Sequence, residues 1–432
     1  MGILVQKFGG SSVADVDKIR HVANLVSREF DNGQQVVVVV SAMGKTTDGL
    51  VSLASQIMDN PNGREYDALL ATGEQVTTSL LAMTLNTMGY DAVGLTGGQA
   101  GITTEALPNR ARILDINTTA VRQHLNQGRI VVITGFQGID HAGNITTLGR
   151  GGSDTSAVAI AGALEADACH IYTDVDGVYS TDPRVVPHAV KLDRIAYIEM
   201  MELARVGAKV LHPRAVETAR QGKVKLVVRS TFKPEDMGTM VEGIGALELD
   251  RRVTGIACDK NQSRLAIEGV PDIPGVAATV FGQLADANVS VDMIIQSISR
   301  STNTEGETKQ TNDIAFTVGK TDTEDAKDIL TKVKDELGAK QVLQSDNVAK
   351  VSIVGVGMID RPGIASDMFA ALAKANVNIH MIATSEIKIS CLIPNEDTDK
   401  AVQALHGMFF PDAEPNSKLT SGDILVNEKV GY

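Results

Sequence analysis

The chain has 432 residues, 43% of them hydrophobic and 22% charged, with a net charge of −13. That length suggests two or three domains around a packed core, and an acidic chain without a basic stripe argues against nucleic acid as a partner. It also means that any anionic ligand needs a cation placed locally. No apolar run reaches the roughly 18 residues of a membrane span. The N-terminus, MGILVQKFGG, lacks the pattern of a secretory leader, and Gln6 stands where myristoylation wants Ser or Thr. Cys169, Cys258 and Cys391 are too widely spaced for a zinc motif and odd in number, which points to a reducing, cytoplasmic location.

Strand and helix signals alternate through the first half. Residues 2–8 read as a strand ending near Lys7, and Ser12 with Asp15 reads as a capping box. Ile19, Val22, Ala23, Val26 and Phe30 then keep the spacing of a helix with one buried face. Residues 36–42 form a β-branched run suited to a strand buried on both sides, and 129–136 and 170–175 are similar. Helices are expected over 66–88, 117–127 and 155–165. The alternation predicts an α/β domain over 1–248, a mostly parallel sheet sandwiched by helices, with ligands beyond the C-terminal strand ends.

Beyond 248 a repeat appears. Residues 270–294 and 358–382 align without a gap, 88 residues apart, with 12 of 25 positions identical, including Asp272/Asp360, Gly275/Gly363 and Asn288/Asn376. Each copy reads as strand, Pro-Gly turn, helix (276–287 and 364–375) and strand. Signals at 313–318, 323–337 and 351–356 complete two small α+β modules over 249–432. The polar stretch 303–312 reads as a loop.

Four clusters carry the chemistry. In Lys7-Phe8-Gly9-Gly10-Ser11-Ser12, the glycines allow close backbone approach to a phosphate and the lysine adds a full charge; the alternative is a plain turn. In Gly149-Arg150-Gly151-Gly152-Ser153-Asp154, Arg150 suits a carboxylate or phosphate, while Ser153 or Asp154 could simply cap a helix. Glu74 could receive an ammonium or complement the dipole of a first helical turn. Residues 173–184 place Thr173, Asp174, Tyr179, Asp182 and Arg184 after a strand. Two near-matches fail: Val39 stands where a P-loop needs glycine before Gly44-Lys45-Thr46, and Asp154 stands where a dinucleotide fingerprint needs Gly or Ala.

Taken in order, Lys7–Ser12, Val40–Gly44, Gly73-Glu74, Gly135–Gly138, Thr146–Asp154 and Tyr172–Tyr179 resemble the aspartate kinases of the amino acid kinase superfamily. The Asp-x-Pro-Gly repeat resembles their pair of ferredoxin-like ACT modules. The resemblance implies ATP- and Mg²⁺-dependent phosphorylation of the side-chain carboxylate of L-aspartate to 4-phospho-L-aspartate. This is the first step toward lysine (by way of diaminopimelate), threonine, methionine and isoleucine. It implies that Lys7 and Asp154 are catalytic, with no metal ligands beyond those of Mg²⁺ carried by ATP. Lys7, Gly9, Gly10, Ser11, Ser41, Thr173, Asp174, Tyr179, Asp182, Arg184 and Lys209 would bind ATP. Thr47, Glu74, Arg150, Gly151, Gly152 and Ser153 would bind aspartate, Glu74 taking its ammonium and Arg150 its α-carboxylate. None of the eight histidines lies in these motifs.

The same resemblance implies modules near 265–345 and 346–425, strand 253–259 joining the second. Lysine, threonine or both would bind at Asp272, Gly275, Val276, Ala277, Ser290, Asp292 and Gln296, and at Ile364, Ala365, Asn378, Ile379, Ser385 and Glu386. It implies a homo-oligomer formed through these modules and leaves open a separate regulatory subunit from an internal start. An end at Tyr432 leaves no room for a fused dehydrogenase. The rivals are a kinase of glutamate or acetylglutamate and an inactive amino-acid sensor; the Glu74 and Arg150 motifs argue against the first, and Lys7 with Asp154 against the second.

Overall fold

The computed structural model describes residues 2–208, 210–243, 251–302, 308–359 and 361–413. They fall into two compact units: Met1–Tyr179 with Lys191–Arg205 and Lys209–Glu248, and Ser180–Val190 with Val206–Ala208 and Leu249–Tyr432.

The first unit runs β1 (Ile3–Phe8), α1 (Val16–Asp31), β2 (Gln35–Val40), α2 (Thr46–Ser55), α3 (Arg64–Thr87), β3 (Ala92–Leu95), β4 (Ile102–Thr104), β5 (Ile113–Ile116), α4 (Thr119–Asn126), β6 (Ile130–Thr134), β7 (Gln137–Ile139) and β8 (Ile145–Thr147). It continues with α5 (Gly152–Ala163), β9 (Ala168–Thr173), β10 (Arg194–Ala196), α6 (Tyr197–Arg205), α7 (Pro213–Gly222), β11 (Leu226–Ser230) and β12 (Thr239–Glu242). Eight strands form one sheet in the order β10-β12-β11-β9-β1-β2-β6-β3, and only the β11–β12 pair is antiparallel. A small sheet, β5-β4-β7-β8, stands apart from it.

Val36 to Val40 are all buried; Leu81 and Leu85 of α3 and Ile19, Val22 and Val26 of α1 share a core with Val36, Val38 and Val40, and Val37 and Val39 are buried on the other face of β2. Phe8 stacks on Tyr172 at 4.6 Å, locking the ends of β1 and β9 side by side. Since β9, β1, β2 and β6 are parallel neighbours, Phe8, Val40, Thr134 and Thr173 end on one edge of the sheet. The expected capping box is corrected: Asp15 caps α1, accepting the Lys18 N–H at 2.9 Å. Ser12 sits instead in a 3₁₀ turn, Gly10–Val13, with its hydroxyl 2.6 Å from that of Thr231.

The second unit contains β13 (Gly255–Pro271), α8 (Val276–Asp286), β14 (Val291–Thr302), β15 (Thr308–Val318), α9 (Thr323–Leu337), β16 (Gln341–Val354), α10 (Ile364–Lys374), β17 (Met381–Thr384), β18 (Lys388–Pro394) and α11 (Thr398–Phe409). One antiparallel sheet, β14-β15-β13-β16-β18-β17, joins them. The repeat is visible in the backbone. Gly275 and Gly363 open their helices at φ 101° and 98°, and Asn288 and Asn376 follow them at φ 58° and 52°. Among the described residues a small core holds Met293, Val348, Met381 and Leu392, and two larger ones lie around Ile267, Leu284, Phe316 and Leu330 and around Ile256, Ile353, Leu372 and Leu405. The long β13 serves both larger cores: Gly255–Asp259 pair with Lys350–Val354, and Arg264–Glu268 pair with Gln341–Ser345.

The expected loop at 303–312 is corrected over its second half, where 308–312 belong to β15. Thr311 and Asn312 are buried, and the Asn312 amide nitrogen donates to Asp272 at 2.8 Å, which gives that donor a partner inside the sheet. Residues 303–307 lie outside the described residues, as does Asp360.

Candidate active site

Lys7 is one residue from the end of β1, in the middle of the large sheet, and only 8% exposed. Its ammonium meets Asp154 Oδ1 at 2.6 Å. Asp154 is in the first turn of α5, where the helix dipole favours an acid. The turn after β1 is shaped by space rather than by unusual torsion angles. A Cβ on Gly10 would lie 2.9 Å from the Ala42 carbonyl, and the Gly44 N–H donates to the Gly10 carbonyl at 3.1 Å. Gly10 thus lets the Gly9–Ser11 turn lie against the loop that follows β2.

Glu74 reaches this loop from the middle of α3, which begins at Arg64; the first-turn dipole role is therefore ruled out. Glu74 is 4% exposed. Its Oε1 accepts the Ala42 N–H at 3.2 Å, and its Oε2 has no hydrogen-bond partner among the described residues. Burial pushes its pKa up to about 7, opposed by the backbone hydrogen bonds and by the charge of Lys7. A buried acid with an open oxygen beside a lysine suits a ligand that brings its own cation.

Gly149, Arg150 and Gly151 lead into α5. Gly151 has φ +67°, and a Cβ there would lie 2.2 Å from His212 Cγ, so glycine is required twice over. His212 therefore packs against the glycine-rich turn although no histidine is in the motifs. Burial lowers its pKa, Asp154 opposes the shift, and Arg214 and Arg150 add to it. The His-Pro pair opening α7 signals a helix start, and His212 Nδ1 does accept the Arg214 N–H at 3.3 Å. Nothing in the sequence signals its packing against Gly151.

Among the remaining expected residues, Ser41 follows β2 and donates its N–H to Phe8 O at 3.1 Å. Ser153 lies against Gly135, at the end of β6, and Gly152 against Phe136. Thr47 is half-buried in the first turn of α2 and Ser11 is exposed. Thr173 donates its hydroxyl to Asp174 at 2.9 Å, and Tyr179 donates to Asp176 at 2.9 Å. Asp182 and Arg184 fall in the second unit, where they pair with each other at 2.7 Å. Lys209 lies outside the described residues. The structure thus brings Lys7, Gly9, Gly10, Ser41, Glu74, Ser153 and Asp154 to one edge of the sheet.

In the second unit, Asp272, Gly275, Val276, Ala277 and Gln296 line a cavity of about 340 Å³. Asp272 is oriented by the amides of Gln310 and Asn312, at 2.7 and 2.8 Å. Asp292 is instead ion-paired with the buried Lys350, and neither it nor Ser290 is among the lining residues. Ile364, Ala365 and Ile379 pack into the core around Ile256, Asn378 is exposed, and Ser385 and Glu386 occupy the turn between β17 and β18.

Residues 2–230 match the model of the amino acid kinase family, and 265–333 with 351–409 match that of the ACT domain. The chain is 50% identical over 417 residues to "Aspartokinase 2" of Bacillus subtilis (strain 168), covering 96% of this chain and 100% of that one. It resembles the crystal structure of E. coli aspartokinase III in complex with aspartate and ADP (R-state), with a TM-score of 0.78, 29% identity, and coverage of 94% and 100%. The same enzyme in complex with lysine and aspartate (T-state) gives a TM-score of 0.72 at 29% identity, with coverage of 94% and 99%. An amino acid kinase fold followed by ACT domains is therefore the class to which both sequence and structure assign this chain. Within that class it belongs to the aspartate kinases. Among the described residues no helix is long and apolar enough to cross a membrane.

Proposed function

We propose that the chain transfers the terminal phosphoryl group of ATP to the side-chain carboxylate of L-aspartate, giving 4-phospho-L-aspartate and ADP. The observation that carries this reading is the Lys7–Asp154 pair beside the unpartnered oxygen of Glu74. The nucleophile is already ionised at neutral pH, with an ordinary pKa of about 3.9, so no general base is needed. The difficulty is bringing two anions together in line. Lys7 answers it by donating to the phosphoryl oxygens as charge builds there. Asp154 orients the Lys7 ammonium. Gly9, Gly10, Ser11 and Ser41 line the phosphates, with Thr173, Asp174 and Tyr179 on the nucleotide side.

Glu74 takes the aspartate ammonium and Arg150 its α-carboxylate, with Thr47, Gly151, Gly152 and Ser153 alongside. Mg²⁺ carried by ATP would neutralise phosphate charge; the carboxylate of Asp154, at the edge of the site, is the residue suited to hold it. The acyl phosphate product is activated for reduction, which suits a first step toward lysine, threonine, methionine and isoleucine. ADP release measured with aspartate, glutamate and acetylglutamate tests the reading. Turnover with aspartate alone is expected; turnover with another acceptor and none with aspartate overturns it.

The same proposal makes the second unit, with modules near 265–345 and 346–425, a sensor for lysine, threonine or both. The cavity at Asp272 supports this, since its carboxylate suits an amino acid's ammonium. At millimolar lysine and threonine, activity is expected to fall severalfold with at least one of them. Asp272→Ala should relieve that inhibition without changing uninhibited turnover. Full activity with both amino acids present contradicts the sensor role.

A further inference from the structure

Asp67 and Arg214 are two charged residues that this chemistry leaves unused. Asp67 lies on α3, seven residues before Glu74 and therefore on the same face, and it is fully buried. Its partners are not cations. Oδ1 accepts the Asn109 N–H at 3.0 Å and the Thr147 hydroxyl at 2.8 Å, and Oδ2 accepts the Thr147 N–H at 2.8 Å. Arg214, at the start of α7, donates from Nη1 to Leu148 O at 2.7 Å and from Nη2 to Ala111 O at 2.8 Å. The segments at 109–111 and 147–148 are themselves joined by the Ala111 N–H, which donates to Thr147 O at 3.0 Å. A carboxylate thus gathers N–H groups of this short ladder and a guanidinium gathers its C=O groups.

The ladder ends where Gly149-Arg150-Gly151 begins. Arg150 is exposed, makes no ion pair among the described residues and is flanked by glycines at φ +75° and +67°. Gly149 lies against Asn109 O and Gly151 against His212, so the direction of Arg150 is set by this ladder and by the start of α7, which carries Arg214. Backbone groups can be satisfied by water or by another strand; two-pronged charged groups add a fixed geometry. Asp67 also shares a rigid helix with Glu74, so it ties the segment carrying Arg150 to the residue that takes the ammonium.

We infer that Asp67 and Arg214 are positioning residues that set the spacing between Glu74 and Arg150, and so let the two hold the ammonium and the α-carboxylate of one substrate at the same time. The inference rests on the proposed role of Arg150. It is tested by steady-state kinetics of the full chain carrying Arg150→Ala, Asp67→Asn, Arg214→Lys and the Asp67→Asn/Arg150→Ala double change. Asp67→Asn and Arg214→Lys should each raise the KM for aspartate at least about tenfold, the scale on which misplaced binding groups act. The KM for ATP should stay within about threefold. In the Arg150→Ala background, Asp67→Asn should add less than about twofold, because it acts through that arginine.

Aspartate and ATP KM values rising together, an unchanged aspartate KM, or an undiminished Asp67 effect without Arg150 each overturn the inference. Arg150→Ala raising the aspartate KM while Asp67→Asn does not overturns it alone; an unchanged aspartate KM in Arg150→Ala removes the role of Arg150 and the inference with it. Should Asp67→Asn fail to fold, Thr147→Val and Arg214→Lys carry the same test. Thr147→Val deletes a single hydroxyl bond and keeps the backbone one, and a selective rise in aspartate KM is expected in both, its absence being decisive.

Discussion

Replacing Lys7 with alanine is expected to lower kcat at least about 10²-fold, the loss that follows removal of one transition-state donor. The substitution also has a structural cost. The side chains of Lys7 and Asp154 are 11% and 15% exposed, so alanine leaves a largely buried carboxylate without its partner. Breaking such a pair from one side costs about 3 kcal/mol or more. The two effects separate in a second variant: Lys7→Met with Asp154→Asn removes both charges and should recover most of the melting temperature while staying inactive. Thermal melts and single-turnover assays on both variants check this. A Lys7→Ala enzyme turning over within a few-fold of the parent, or a double variant that regains activity with its stability, contradicts the catalytic role.

Glu74→Gln is expected to raise the KM for aspartate about 10- to 10²-fold with little change for ATP. A hydrogen bond to a charged group is worth about 1.5–3 kcal/mol, and each 1.4 kcal/mol is a factor of ten. The pH dependence gives a sharper signature. The folded-state pKa of Glu74 stands at about 7 against an ordinary 4.5, raised chiefly by burial. Between those values the folded chain holds a proton that the unfolded chain releases, so ligand-free stability declines as the pH rises through that window. An ammonium ligand needs the ionised form, so the KM for aspartate should fall as the pH rises through about 7. One carboxyl thus pulls stability and substrate binding in opposite directions, and Gln at position 74 should flatten both profiles. Melts from pH 5 to 8 and KM values over the same range check the pair; an aspartate KM that rises with pH sinks it.

Much of this site was legible because strand ends announce themselves. A continuous β-branched run ending in Ser41, and an apolar run ending in Lys7 and two glycines, name both the strand and the edge on which its polar residues emerge. The unbroken repeat marked the second unit for the same reason, since Gly275 and Gly363 need torsion angles that the Pro-Gly pairs advertise. What escaped notice depends on contacts between distant backbone groups. Asp67 bonds to Asn109 and Thr147, and Arg214 to Ala111 and Leu148; neither partner set leaves a trace in residue type. His212 was missed because its role is to fill the space under a glycine. The 308–312 segment reads as a loop because it is wholly polar and Lys309, Gln310 and Asn312 outweigh its two threonines, yet Asn312 is held inside the sheet by Asp272.

The most direct measurement is an experimental structure of the chain with Mg²⁺, a non-hydrolysable ATP analogue and L-aspartate. The account predicts the Lys7 ammonium within hydrogen-bond distance of the terminal phosphoryl oxygens, still beside Asp154, and the aspartate ammonium on Glu74 Oε2. A Lys7 side chain turned to solvent, or an aspartate bound with its ammonium away from Glu74, would contradict it.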